Sequence, residues 1–477
     1  MDHLLIAILV AGSMALSLAA AGHSLLFKRD SRSALVWTSL NLGLPFVGPF
    51  LYWCLGINRI SRRAQSWQAS GRRVSGTDIY PINDVHRDTA LLPAAASHLR
   101  DLCVLGDRIV TTPLRGGNGI TMLENGDNAY PAMLAAISRA KESINLTSYI
   151  FDADGIGAEF VNHLTEAAGR GVAVRILIDA LGEKYSRISP VKAFRGSQVR
   201  LERYLPLRRG AYINLRNHRK VLIVDGREAF TGGMNIRGKH VLATSEPGQA
   251  LLDMHFSVSG PVVADLQRSF LEDWFFATGE RLDDPFFFPP LDSTGNAVMR
   301  CISDGPDKEF RKLEQLIMGA LSCASRTVCI MTPYFIPDRP MISALITTAL
   351  RGVEVRIVLP GSNNLPFVKW ASQSLLWELV ANGIKIYYQP PPFVHTKLML
   401  IDDIWVLVGS ANLDNRSLRL NFELNLSVFD VVFASLVKAH FERAIVLADE
   451  ITSQRLENRA LPVKLRDSFC HLFTPYL

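Results

Sequence analysis

Two stretches of this chain carry the same reactive residues at the same spacing. In one, His218 is followed by Lys220 and Asp225; in the other, His395 is followed by Lys397 and Asp402. Gly232 and Gly409 each lie fourteen residues beyond their His, and Asn235 and Asn412 seventeen beyond. Lys or Asp falls at a given position about once in twenty, so two copies with matching downstream spacing are not chance. Two His and two Lys without metal ligands suit displacement at a phosphodiester. One neutral imidazole attacks phosphorus and forms a covalent phosphohistidine. The other, protonated, gives its proton to the leaving alkoxide and then takes one from the incoming alcohol. Identical groups divide these roles when their surroundings push their pKa values apart. Lys220 and Lys397, with Asn235, Asn412 and the Ser410 hydroxyl, are expected to hold the non-bridging oxygens as negative charge develops.

Those side chains need strands to aim them. The apolar quartets 221–224 and 398–401 read as buried strands with His and Lys at their entrances, and a spacing of two puts both side chains on one face. Each Asp lies an odd number of residues from its Lys and opens a turn; Asp225-Gly226 is a type I′ hairpin signal. Asp225 and Asp402 are therefore expected to hold the hairpin or its neighbours by hydrogen bonds. Residues 253–258 align with 423–428, so Glu423 and Asp253 occupy one repeat position. They are the candidates for accepting the second ring N–H of His395 and His218 and fixing the tautomers.

The repetition extends beyond the motif. Residues 128–141, 157–170, 308–324 and 340–351 read as helices, and 143–151, 172–179, 327–335 and 353–359 as strands. Residues 170–176 and 351–357 match almost position by position, at a period of about 180 residues. That is far beyond a solenoid unit and means two similar domains. Alternating strand and helix predicts an α/β fold with mixed, largely parallel sheets flanked by helices. The expected division is 1–60, two transmembrane helices; 61–104, a linker; 105–290 and 291–477, the two repeated domains, with Pro285 to Pro290 marking their boundary.

Of 477 residues, 48% are apolar, and the net charge is +6. The charge fits ordinary solubility or a preference for anionic partners equally well. Six scattered cysteines without Cys-x-x-Cys spacing argue against a zinc site or a disulfide framework. Residues 4–21 are uncharged and long enough to cross a bilayer, and the start Met1-Asp2-His3 lacks the positive segment of a signal peptide. Residues 34–57 form a second apolar run, kinked at Pro45 and Pro49, with Trp37, Tyr52 and Trp53 suited to interfaces. A buried helical hairpin is the competing reading. Arg59, Arg62, Arg63, Arg72 and Arg73 outnumber Lys28, Arg29 and Arg32 in the loop between the runs. The charge bias therefore places the rest of the chain in the cytoplasm, beneath a multi-pass anchor.

His-x-Lys-x4-Asp in duplicate, followed by Gly-Gly or Gly-Ser-x-Asn, resembles the phospholipase D superfamily from about residue 105 to the end. Residues 212–220, 231–235, 409–418 and 421–423, behind two N-terminal spans, are similar to bacterial cardiolipin synthases. That resemblance implies a catalytic set of His218, Lys220, Asp225, His395, Lys397 and Asp402. It also implies transfer of a phosphatidyl group between two phosphatidylglycerol molecules in the cell (inner) membrane, with release of glycerol and without metal or cofactor. The first His, His218, is the nucleophile it implies. Arg237-Gly-Lys239-His240 departs from the family, whose members carry acidic or small residues there, and bears on acceptor recognition. The implied partners are anionic phospholipid and the bilayer, with Arg208, Arg209, Arg216 and Arg219 available to headgroups. No nucleic acid partner is expected. A hydrolase or nuclease using water at the same site, and a non-catalytic membrane scaffold, are the alternatives; the oligomeric state stays open.

Overall fold

The computed structural model describes residues 2–28, 31–57, 91–205, 215–246, 248–282, 284–305 and 311–474. They fall into two units: the N-terminal helices, and a body holding both repeats. In the first unit, the helix His3–Phe27 is long and apolar enough to cross a membrane. The second apolar run is broken. Its helix Ser31–Gly43 stops before Pro45, Phe46 takes a positive φ of 66°, and a shorter apolar helix follows over Val47–Gly56. The break follows from Pro45, which denies the chain a helical N–H there. The helices are joined by a Ser24–Thr38 hydroxyl contact of 2.8 Å and by His23 Nδ1 against the Tyr52 hydroxyl at 2.8 Å.

The body is built on one continuous mixed sheet. From one edge it runs Asp449–Glu450, Lys385–Gln389, Glu354–Pro360, Thr327–Met331, Leu398–Ile401, Trp405–Gly409, Asn421–Phe429 and Ala297–Asp304. It continues through Arg115–Glu124, Met254–Ser259, Glu228–Gly232, Val221–Val224, Ser143–Ser148, Ala173–Asp179 and Arg200–Tyr204. The order reads alike outward from the centre, where Arg115–Glu124 meets Ala297–Asp304 antiparallel. Each repeat contributes one arm.

Largely parallel sheets were expected, and this is corrected. Along that path four pairings are parallel and ten antiparallel. Strand–helix–strand crossovers generate the parallel pairs, as in Ser143–Ser148, Ile156–Gly169, Ala173–Asp179 and its counterpart in the second half. Nearer the centre, Val221–Val224 with Glu228–Gly232 and Leu398–Ile401 with Trp405–Gly409 are hairpins, which can only be antiparallel. The innermost strands pair antiparallel with partners distant in the chain.

The expected linker, 61–104, is described only in part. Residues 61–90 lie outside the described residues, but Ala94–Leu99 and Arg100–Ile109 are helical. Leu99, Leu102 and Cys103 are buried in the core of the second half beside Leu313, Leu316 and Ile317. Another core belongs to the first half. A third is shared, with Val221, Ile223 and Phe256 from one half packed with Leu398, Leu400 and Val408 from the other. The halves are one folding unit.

Candidate active site

The site is assembled where each half lends a short strand to the other. Arg216–Asn217 pairs in parallel with Asn421 and Phe422, and Phe393–Val394 pairs in parallel with Leu251 and Leu252. The next residue along each ladder is the reactive one. The His218 N–H donates to the Phe422 carbonyl (2.9 Å) and the His395 N–H to the Leu252 carbonyl (2.7 Å). Each His is thereby set beside the residue that follows on the other half's strand, Glu423 or Asp253.

The imidazole–carboxylate pairs are therefore crossed between the halves. His218 Nδ1 lies 3.0 Å from Glu423 Oε2, and His395 Nδ1 lies 2.7 Å from Asp253 Oδ2. Alignment within each repeat assigned them the other way, Glu423 to His395 and Asp253 to His218. A carboxylate on Nδ1 leaves Nε2 facing the substrate; in His395 that nitrogen also lies 3.3 Å from the Lys397 ammonium.

The carboxylates are supported differently. Glu423 also accepts from the Ser410 hydroxyl (2.5 Å) and the Asn421 amide (3.1 Å). Asp253 accepts from the Met254 N–H (2.8 Å). The counterpart of Ser410 is Gly233, where a Cβ would stand 2.2 Å from Asp253 Oδ1. Burial alone would raise Asp253, but Lys397 and His395 outweigh it and hold the carboxylate down at about 2. Burial likewise opposes, and His218 and Lys220 produce, the lowering of Glu423.

Both lysines donate to the backbone carbonyl of their own His, Lys220 at 2.6 Å and Lys397 more closely. The Lys397 ammonium also lies against the ring, 2.9 Å from Nδ1 of His395. Burial pushes Lys220 down to about 7 and Lys397 to about 8. Burial and then Lys397 push His395 to about 4; burial also lowers His218, against the pull of Glu423. Lys397 bears on His218 and Lys220 on His395, so the two sets share one electrostatic centre.

Asp225 and Asp402, members of the catalytic set that the resemblance implies, are placed otherwise. Asp225 and Gly226 have φ of 52° and 61°, and Asp402 and Asp403 have 52° and 59°, the left-handed pair of a type I′ turn. The Asp225 carboxylate accepts the N–H groups of Lys141, Glu142 and Ser143. Asp402 accepts those of Ser325, Arg326 and Thr327, and lies 2.8 Å from His98 Nε2. They tie the far ends of the motif strands to the neighbouring strand and touch neither imidazole.

The three residues expected to contact phosphate also make contacts within the protein. Ser410 spends its proton on Glu423. Asn235 Oδ1 accepts the Ile150 N–H at 3.0 Å, and Asn412 Nδ2 donates to Ser417 at 3.2 Å. Asn412 Oδ1 is buried without a partner, whereas the Asn235 amide N makes no hydrogen bond among the described residues and stays available to an anion. Arg219 is not available to headgroups: it is buried and paired with Asp273 at 2.6 Å. Arg208 and Arg209 lie outside the described residues. His240, in the divergent segment, is fully buried, with neither ring nitrogen bonded among the described residues, 6.5 Å from the His395 ring.

Two aromatic residues escaped the sequence reading. Tyr149 packs edge-on to His218 at 5.2 Å with the Lys220 ammonium 5.6 Å from its ring, and Tyr334 packs edge-on to His395 at 6.2 Å. Their signal was present as a repeated triplet, Thr147-Ser-Tyr149 and Thr332-Pro-Tyr334. No group of metal-ligating side chains occurs among the described residues.

Two fused α/β halves that bring a pair of His–Lys sets to one seam define a phosphodiester enzyme of the phospholipase D class. The family model described as "Cardiolipin synthase, PLD-like domain" matches residues 133–274 and 317–445. The chain is similar to cardiolipin synthase of Oceanobacillus iheyensis, 30% identical over 94% of this chain and 95% of that one. It is similar also to cardiolipin synthase A of Pseudomonas fluorescens, 32% identical over 97% and 96%. The crystal structure of phosphatidylserine synthase from Haemophilus influenzae shares the fold, with a TM-score of 0.62 at 16% identity over 79% of this chain and all of that one. The chain belongs to the cardiolipin synthase family of phospholipase D-like proteins.

Proposed function

We propose that the crossed site makes cardiolipin from two phosphatidylglycerol molecules, releasing glycerol, as a phosphatidyltransferase. The observation that carries this is the pair of imidazoles, each held by the other half's carboxylate with a lysine beside it. His218 Nε2 attacks the phosphorus of the first lipid; the anionic phosphate beside His395 favours its protonated form, and as the bond to the glycerol headgroup breaks, His395 gives that proton to the departing oxygen. His395 then takes the hydroxyl proton of the second lipid, whose oxygen attacks the phosphorus as the P–N bond to His218 breaks and frees the ring. Lys220, Lys397 and the Asn235 amide support the phosphoryl oxygens. Tyr149 and Tyr334 brace the rings. Asp225 and Asp402 hold the scaffold, and Arg237 to His240 shape the acceptor side.

The chain divides as 105–290 and 291–477 for the two catalytic halves, behind an anchor in 1–60. The long helix His3–Phe27 supports a membrane anchor. The short helix Val47–Gly56 with Ser31–Gly43 forms the returning span, leaving the enzyme body in the cytoplasm. A C-terminal tag that protease reaches in intact cells would overturn that orientation.

The deciding assay gives purified enzyme labelled phosphatidylglycerol. Cardiolipin with an equivalent of glycerol is expected; phosphatidic acid without cardiolipin would establish the hydrolase reading instead. In His395→Ala, a trapped phosphatidyl adduct on His218 is expected. An adduct persisting in His218→Ala would reverse the assignment.

A further inference from the structure

The helix Leu461–His471 carries its apolar residues on both faces. Asp467 and Cys470 are buried, Cys470 in a small core with Ile336 and Ala371. Leu461, Leu465, Phe469 and Leu472 follow at i, i+4, i+8 and i+11 and form one outward row, between 59 and 71% exposed. A surface helix ordinarily turns polar residues outward, and an apolar row of this kind marks a contact surface. Lys464 and Arg466 flank it, and the Arg466 guanidinium lies 4.3 Å over the Trp370 ring.

A relay of contacts leads from the end of this helix toward the active site. Phe473 packs on Phe367 at 5.7 Å, and the Thr474 carbonyl accepts from the Asn415 amide, beside Arg416. Phe367 opens the helix Pro366–Gln373, which follows Asn364, and Asn364 accepts the hydroxyl of Tyr334, the residue packed on His395. Across the seam, Tyr185 packs on Tyr149 at 6.4 Å and is more than half exposed.

We infer that the outward row Leu461, Leu465, Phe469 and Leu472 lies in the lipid interface and seats the mouth of the site on the bilayer. The inference rests on the phospholipid substrate. Its phosphate must reach two largely buried imidazoles while its acyl chains stay in hydrocarbon, so apolar surface is needed next to the mouth. An apolar helical face flanked by Lys and Arg suits the headgroup–acyl boundary of an anionic leaflet. A second protein is the poorer fit, because four side chains in one row fall short of the roughly 800 Å² per partner of a stable interface.

The test uses the full chain reconstituted in phosphatidylglycerol vesicles, compared with the same enzyme acting on dispersed short-chain phosphatidylglycerol. In L465E/F469E, turnover of vesicle lipid should fall about tenfold or more while turnover of dispersed lipid stays within about twofold, as expected for lost interfacial burial. L465F/F469L, which keeps the face apolar, should retain both. Equal loss on both substrates with an unchanged unfolding temperature, or no loss on either, would overturn the inference. A halved particle mass for L465E/F469E would also overturn it and assign the face to a second copy. If wild type yields phosphatidic acid instead of cardiolipin, the transferase reading fails, while the vesicle-to-dispersed ratio still decides the membrane face.

Discussion

Glu423 is held by a hydroxyl and an amide besides His218, whereas Asp253 meets His395 with a single backbone donor and with Gly233 in place of Ser410. Replacing Glu423 by Gln keeps the volume but removes the charge that stabilises the His218 tautomer and its imidazolium. Turnover should fall by about 10³-fold or more, with KM little changed, in the cardiolipin assay. The lysines make a second prediction. At about 7 and 8, Lys220 and Lys397 are partly neutral near pH 8 in the empty site, and a phosphate beside them favours the charged form. Binding of inorganic phosphate at pH 8 should therefore take up protons. Calorimetry in two buffers of different ionisation enthalpy measures this, and proton release would contradict it.

At the scale of elements, the type I′ turns fix the motif strands to their neighbours. Asp225→Ala removes the acceptor for three backbone N–H groups, two of them exposed, and should cost about 1–2 kcal/mol. The unfolding temperature should drop while activity in the cold survives; lost activity at unchanged stability would disprove the structural role. The hairpin was legible because Asp-Gly demands positive φ whatever surrounds it. Strands 221–224 and 398–401 were legible because every residue in them is apolar. The crossing of the halves was not legible. It depends on two-residue ladders between segments 205 and 142 positions apart, and no local pattern records which partner such a ladder chooses. The dominance of antiparallel pairing was hidden for a related reason. Strand–helix alternation governs the outer strands only, and the central strands pair antiparallel with partners distant in the chain.

At the scale of the molecule, burial of imidazoles sets acid sensitivity. His255 is held at about 4 and His395 at about 4, below the ordinary 6.5. Between those values the unfolded chain binds protons that the folded one does not, so stability is complete above pH 6.5 and declines as pH falls toward 4. Asp253, at about 2 against 3.8, extends the loss below pH 4. The unfolding temperature should fall across pH 6.5 to 4, and less steeply in His255→Gln; equal slopes would exclude His255. The shared core makes a further demand. Mixing purified His218→Ala and His395→Ala proteins should restore no activity, because each centre is completed within one chain, and recovery would show exchange of halves between chains. The crossing of His218 to Glu423 and His395 to Asp253 has the form of a twofold contact, in which one copy's first group meets the other's second and the reverse. A symmetric dimer of a single half would make the same pair of bonds. Joining the halves in one polypeptide released each from performing both roles. Gly233 against Ser410, and Asp253 against Glu423, record where that descent from symmetry has begun to separate them.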